Sequence, residues 1–151
     1  MKERIILWLA SGLGLGLAPV APGTFGTLLG VGIYYLIGSI SVWIYLLVLA
    51  GIFVLAVWLS NQAEQILLTR DPQLVTIDEV VGYLITMLSF PVQGKWIFLG
   101  FLFFRIFDIA KIYPASYFDR MGKRGLAVVM DDVVAGIYAN LSLQVIRLII
   151  S

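Results

Sequence analysis

Residues 46–59, LLVLAGIFVLAVWL, and residues 98–107, FLGFLFFRIF, decide the fold, because neither alternates polar with apolar side chains. A strand of a membrane barrel needs such alternation over about ten residues, whereas an unbroken apolar run is what a helix in lipid presents. Working outward, further apolar segments lie at roughly 5–17, 28–60, 77–90, 96–112 and 126–150, with polar or Gly/Pro-containing stretches between them. As one helix, 28–60 would be about 50 Å long against a hydrocarbon core of about 30 Å, so a break is expected at Gly38-Ser39. Of the segments, 126–150 is the one that clearly meets the length of a full span. Segments 77–90 and 96–112, joined by PVQGK with Pro91 and Gly94, read as an antiparallel hairpin with arms short for a lone crossing. The expected fold is all-α: a membrane-embedded bundle of five to six helices, some short or broken, forming a single domain over residues 1–151.

Composition agrees. Hydrophobic residues make up 61% of the chain and the mean hydropathy is +1.01, far outside the soluble range of about 45–50% apolar. Ten Lys+Arg against nine Asp+Glu leave a net charge of +1, which gives no basic surface for nucleic acid. There is no cysteine and no histidine. Phosphate chemistry, if present, must therefore run on carboxylates, hydroxyls and metal. The start MKERIILWLASGLGLGLAP has the shape of a secretory signal, but the sequence after it opens into further apolar segments, so it reads as part of the membrane domain.

The charges are unevenly placed. The three C-terminal apolar segments hold five acids, Asp78, Glu79, Asp108, Asp131 and Asp132, and three bases, Arg105, Lys111 and Arg147. Arg147 lies sixteen residues beyond Asp131, about 24 Å along a helix, and near an end from which it can snorkel to water. Each acid at mid-bilayer costs about 2.5–3.5 kcal/mol, so five of them need compensation. Up-down packing brings all five to one face of the membrane. Arg105 and Lys111 stand three residues either side of Asp108 on one helix face. Gly82 follows Asp78, and Gly136 follows Asp132, at i+4, so each acid shares a face with a residue that permits close helix approach. A surplus of hard oxygen ligands at a membrane face suits Mg2+. Helix capping alone would account for Asp78, where Thr76 to Glu79 fits a capping box, but not for Asp108 in the last turns of its helix.

Two glycine-rich stretches are weaker signals. Ala21-Pro22-Gly23-Thr24-Phe25-Gly26-Thr27 precedes the long apolar segment as a Pro/Gly turn whose Thr24, Gly26 and Thr27 are candidates for holding a phosphate at a helix start. It lacks the GK[ST] of a nucleotide loop. Gly12, Gly14 and Gly16 are assigned to small-residue helix packing. Asp78-Glu79-Val80-Val81-Gly82 also echoes Asp131-Asp132-Val133-Val134-Ala135-Gly136, which reads as two uses of one device because nothing around the two stretches matches. Lys111, Arg120, Lys123 and Arg124, with Lys2 and Arg4, mark a cytoplasmic side by the positive-inside bias, Lys123 and Arg124 reading as a solvated loop.

Taken in order, APGTFGT, IDEVVGY, FRIFDIAKIYPASYFDR and MDDVVAG resemble the phosphatidylglycerophosphatase A family over about residues 12–140. Ile112-Tyr113 before Pro114 is a mild departure from the family's pattern that leaves the charged positions intact. The resemblance implies a small multihelical enzyme of the bacterial inner membrane, using Mg2+ to remove the terminal phosphate of phosphatidylglycerophosphate in glycerophospholipid synthesis. It places Asp78 and Glu79 in an acidic pair, Asp108 and Lys111 in an FR-x-x-D-x-x-K segment, and Asp131 and Asp132 in a DD-x-x-AG segment. On this reading Asp78, Glu79, Asp131 and Asp132 hold one or two Mg2+ ions at the cytoplasmic face. Arg105 and Lys111 neutralise developing charge, Thr24, Gly26 and Thr27 cradle the phosphate, and Asp108 orients the cations or ligates metal. Attack by water and a phospho-aspartyl route both stay open. The rival reading is a cation- or proton-coupled transporter, which predicts acids near mid-depth and repeat symmetry. An alcohol phosphatidyltransferase lacks support because its DG-x-x-AR signature is missing, and a non-catalytic assembly subunit would tolerate loss of the acids.

Overall fold

A computed structural model describes residues 1–69, 72–114, 117 and 125–150. The described residues form six α-helices and no strand: α1 (Lys2–Ala10), α2 (Pro22–Ile37), α3 (Val42–Leu67), α4 (Ile77–Thr86), α5 (Gly94–Ala110) and α6 (Gly125–Ile150). The helical bundle anticipated from the apolar runs is thus present. Arg120, Lys123 and Arg124 lie outside the described residues.

The long apolar segment breaks where expected, between Ile37 and Val42. Gly38 suits the break because a Cβ there would lie 2.6 Å from the Val92 side chain and 2.8 Å from the Tyr34 ring. Two boundaries differ from the sequence reading. The α3 helix runs on to Leu67, so it, like α6, has 26 residues and is long and apolar enough to cross a membrane. The second helix begins at Pro22 instead of after Thr27, since proline at the first helical position has its φ preset and its missing N–H costs nothing there. The small-residue assignment of Gly12, Gly14 and Gly16 is also corrected. Gly12 (φ 56°) and Gly14 (φ 91°) turn the chain through the left-handed region into a 3-10 turn at Leu15–Leu17, and no Cβ fits at Gly16 against the Leu74 carbonyl.

Packing explains which helix is central. In α4, eight of ten residues are buried, and its main partners are α6 and α2 rather than its hairpin mate α5. Tyr34, Tyr83 and Phe104 meet edge to face, with ring centroids 6.3 and 6.5 Å apart. Their burial is affordable in polar terms because the hydroxyls are satisfied: Tyr34 donates to the Phe90 carbonyl (2.7 Å), Tyr45 to Leu84 (2.6 Å) and Tyr83 to Ile97 (3.1 Å). By contrast α3 and α6 turn Trp43, Leu47, Val54, Leu148 and Ile149 outward. Both helices thus combine a length sufficient to span a bilayer with apolar side chains exposed along their surface.

The starts of α2, α4 and α6 and the ends of α3 and α5 gather at one end of the bundle. Arg147 is at the other end, donating to the Ser89 carbonyl and lying over the Phe90 ring, as its distance from the acids in sequence required.

Candidate active site

At the gathered end, Ala21, Pro22, Gly23, Gln73, Val75 and Val128 join Asp78, Glu79, Arg105, Asp108, Lys111, Asp131 and Asp132 around a cavity of about 310 Å³. Three helices, α4, α5 and α6, therefore deliver all five acids and two of the three bases, Arg105 and Lys111, to one place, and the start of α2 and the 72–76 loop complete the wall. Asp78, Asp131 and Asp132 are buried, at 7%, 8% and 4% exposure, in a wall whose described residues include three more acids than bases. Such a surplus is not tolerable at low dielectric without a counter-charge.

The arrangement divides the acids. Arg105 pairs with Asp108 one turn along α5, which answers the objection to an anion near a helix end. Lys111, at the α5 C-cap with φ 43°, extends its Nζ to within 3.0 Å of Asp131 Oδ2. Asp78, Glu79 and Asp132 then converge, with one carboxylate oxygen from each within 4.8 Å of the others. Glu79 Oε2 is buried against Gly26 of α2 and makes no hydrogen bond, which leaves a donor-less oxygen on one of the three clustered acids. On the ten-residue α4, too short to cross a bilayer, burial pushes the Glu79 carboxyl up to about 7. A hydrogen bond with Asp78 opposes the rise, the Asp108 charge adds to it and the Arg105 charge opposes it. An orphaned oxygen within an all-oxygen donor set fits a hard divalent cation, which would replace the missing donors.

The capping box does not form. Thr76 makes no side-chain cap bond and its hydroxyl is buried without a partner, so Glu79 is not held back by the helix start.

Three sequence candidates are placed differently. Thr27 is fully buried and its hydroxyl donates to the Gly23 carbonyl at 2.8 Å, within its own helix. Gly26 is buried where a Cβ would meet the Thr76 carbonyl at 2.7 Å and Glu79 Oε2 at 3.0 Å, so its contribution is close approach of α2 to α4. Thr24 does not line the cavity, and its N–H is spent on the Ala21 carbonyl. With Pro22 lacking an N–H as well, the start of α2 has few donors for a phosphate. From the same stretch Gly23 does line the cavity, against Glu79 and the Arg105 guanidinium with no room for a Cβ. Gln73 also lines the cavity, and nothing about a single loop glutamine marked it in the sequence. Asp131, expected beside the other metal ligands, lies next to the cluster with Lys111 on its carboxylate.

Comparison with known proteins decides the assignment. A family model described as phosphatidylglycerophosphatase A matches residues 8–147. The chain belongs to the phosphatidylglycerophosphatase A family. Membership makes it an enzyme, a phosphoric monoester hydrolase. The chain is similar to phosphatidylglycerophosphatase A of Escherichia coli, at 35% identity over 130 residues, covering 85% of this chain and 76% of the relative. It is similar to phosphatidylglycerophosphatase A of Haemophilus influenzae at 37% over 134 residues, covering 87% and 82%. A third relative, from Bacteroides thetaiotaomicron and provisionally named phosphatidylinositol-3-phosphatase, is 34% identical over 150 residues, covering 94% and 93%. No solved structure matches. The family match spans every residue of the carboxylate cavity.

Proposed function

We propose that the chain hydrolyses the terminal phosphomonoester of phosphatidylglycerophosphate, giving phosphatidylglycerol and phosphate in glycerophospholipid synthesis, as one Mg2+-dependent domain. The observation that carries the reading is the convergence of Asp78, Glu79 and Asp132 beside two anchored cations at the end of a membrane bundle. These three acids would hold the cation, and Asp131 stands near enough in the wall to complete its surroundings. A bound Mg2+ supplies charge for the phosphoryl oxygens and lowers the pKa of a coordinated water.

The chain's own residues do the rest. Asp108 holds the Arg105 guanidinium against Gly23 at the cavity wall, and Asp131 holds the Lys111 ammonium. Two cations fixed in this way meet the phosphoryl group without reorganising as its charge grows. Gly23, having no side chain, lets Glu79 and the Arg105 guanidinium close against the start of α2. The apolar exterior keeps the acyl chains in lipid while the headgroup reaches the acids, so a site at one end of the bundle is what such a substrate needs. Bacterial relatives and the basic residues Lys2, Arg4 and Lys111 support an inner-membrane protein with this end in the cytoplasm. The transporter reading is disfavoured because α4 and α6 close on each other directly beneath the acids, at Gly82 and Gly136.

The test is phosphate release from phosphatidylglycerophosphate by detergent-purified protein, with Mg2+ or EDTA, for wild type and Asp132→Asn. Release that needs Mg2+ and disappears with the substitution is expected; none from folded wild-type protein would refute the assignment. Phosphatidylinositol 3-phosphate belongs in the same panel, because one relative carries that substrate in its name and is also a lipid phosphomonoesterase by that name.

A further inference from the structure

The two acidic stretches that echo each other in sequence lie side by side. Asp78, Gly82 and Thr86 on α4 and Asp132, Gly136 and Asn140 on α6 share the spacing i, i+4, i+8, and the helices run parallel with these residues level. At the top, Asp78 and Asp132 belong to the carboxylate cluster. One turn down, the backbones touch: a Cβ on Gly82 would lie 2.8 Å from the Asp132 carbonyl oxygen, and one on Gly136 would lie 3.1 Å from the Gly82 carbonyl carbon. Two turns down, Thr86 Oγ1 donates to the Gly82 (3.0 Å) and Gly136 (3.4 Å) carbonyls. There Asn140 Nδ2 shares its two hydrogens among the carbonyls of Thr86 (2.8 Å), Leu88 (2.9 Å) and Ile85 (3.4 Å).

The glycine contact permits close approach but does not resist sliding, because neither surface has a side chain to interlock. A directional bond does resist it. Asn140 makes its two short bonds from α6 to the Thr86 and Leu88 carbonyls, where α4 has ended, while the Ile85 carbonyl also accepts from the Leu88 N–H at 3.2 Å. Losing this bond would strand polar groups in an apolar setting, so the preferred register is sharply defined. Mg2+ tolerates little error, since its ligands must stand at about 2.0–2.1 Å in near-octahedral array.

We infer that Asn140 is a positioning residue: it sets the axial register of α4 on α6 and so the spacing of the Asp78 and Asp132 carboxylates two turns above. The inference rests on the cluster being a metal site. Its test is direct binding of Mn2+ to detergent-purified, substrate-free protein, read from the electron paramagnetic resonance of free Mn2+, beside the thermal unfolding midpoint. Asn140→Ala should bind Mn2+ about tenfold more weakly, a loss in the range seen when outer supports of metal ligands are removed. Leu143→Ala, which opens a hole at a fully buried site in the same helix, should lower the midpoint at least as much and leave binding unchanged. Asn140→Gln, which keeps the amide, should recover most of the affinity. Should Asn140→Ala fail to fold, Asn140→Ser is judged by the same criteria. Wild-type affinity in the Asn140 variant, or an equal loss in Leu143→Ala, would overturn the inference while leaving the metal site standing. Wild-type protein that binds no Mn2+ would overturn the metal reading and this inference with it.

Discussion

Substituting Gly82→Ala tests whether the α4/α6 contact sets the active-site geometry. The new Cβ would lie 2.6 Å from Phe104 Cζ and 2.8 Å from the Asp132 carbonyl oxygen. The ring can tilt, but the carbonyl belongs to a helix that carries the cluster. Reaching an ordinary contact of 3.4 Å requires the helices to part by about 0.6 Å at this level. Overpacking of this kind costs about 1–3 kcal/mol, and misplacement on the scale of 1 Å costs up to about a hundredfold in rate. Because Gly82 is one turn from Asp78, the separation is felt by the carboxylates themselves. The expected result is therefore a loss of phosphate release by about tenfold or more, together with a lower unfolding midpoint in detergent. Gly32→Ala and Gly51→Ala are the controls, since a Cβ at either meets nothing within 4 Å. In those helices alanine should be neutral or stabilising by about 0.5–1 kcal/mol, with unchanged activity. If Gly82→Ala matched these controls in both rate and midpoint, close approach of α4 and α6 would not be what positions the site.

Glu79→Gln is expected to abolish phosphate release yet raise the unfolding midpoint in EDTA, by about 2–4 °C for each kcal/mol of relieved repulsion, because it removes one of three crowded carboxylates; an equal or lower midpoint would argue against repulsion there. Adding Mg2+ at a hundred times its dissociation constant should stabilise wild type by about 2.7 kcal/mol, seen as a rise in midpoint by calorimetry, and should leave Asp132→Asn almost unmoved. Tyr34→Phe removes the 2.7 Å bond to the Phe90 carbonyl at the opposite end of α2 from Gly23, and should cost about 1–3 kcal/mol with full activity at 25 °C. A parallel fall in turnover would tie the far end of the bundle to the site.

The unbroken apolar runs determined that the chain is helical, because of the two structures that satisfy the backbone in lipid the closed barrel needs alternating side chains and the helix does not. The excess of acids over bases in the last three segments likewise determined that a polar site had to exist, since isolated carboxylates are too costly there to be left apart. The sequence reading thus reached the acids and the two bases from charge alone. What it could not apportion was partnership. That Asp108 belongs to Arg105 was legible from their i, i+3 spacing, but the reach of Lys111 to Asp131 joins residues on separate helices. Which three acids converge follows from the way α4 lies on α6, a matter of packing between distant segments. That Thr24, Gly26 and Thr27 lie off the cavity wall was not legible for the same reason. Composition marks a glycine-rich helix start, whereas the direction each residue faces depends on what packs against it. The echo between the two acidic stretches was visible as a pattern. Only the tertiary structure made it a register, because the level pairing of Gly82 with Gly136 and of Thr86 with Asn140 exists once the helices run parallel and touch.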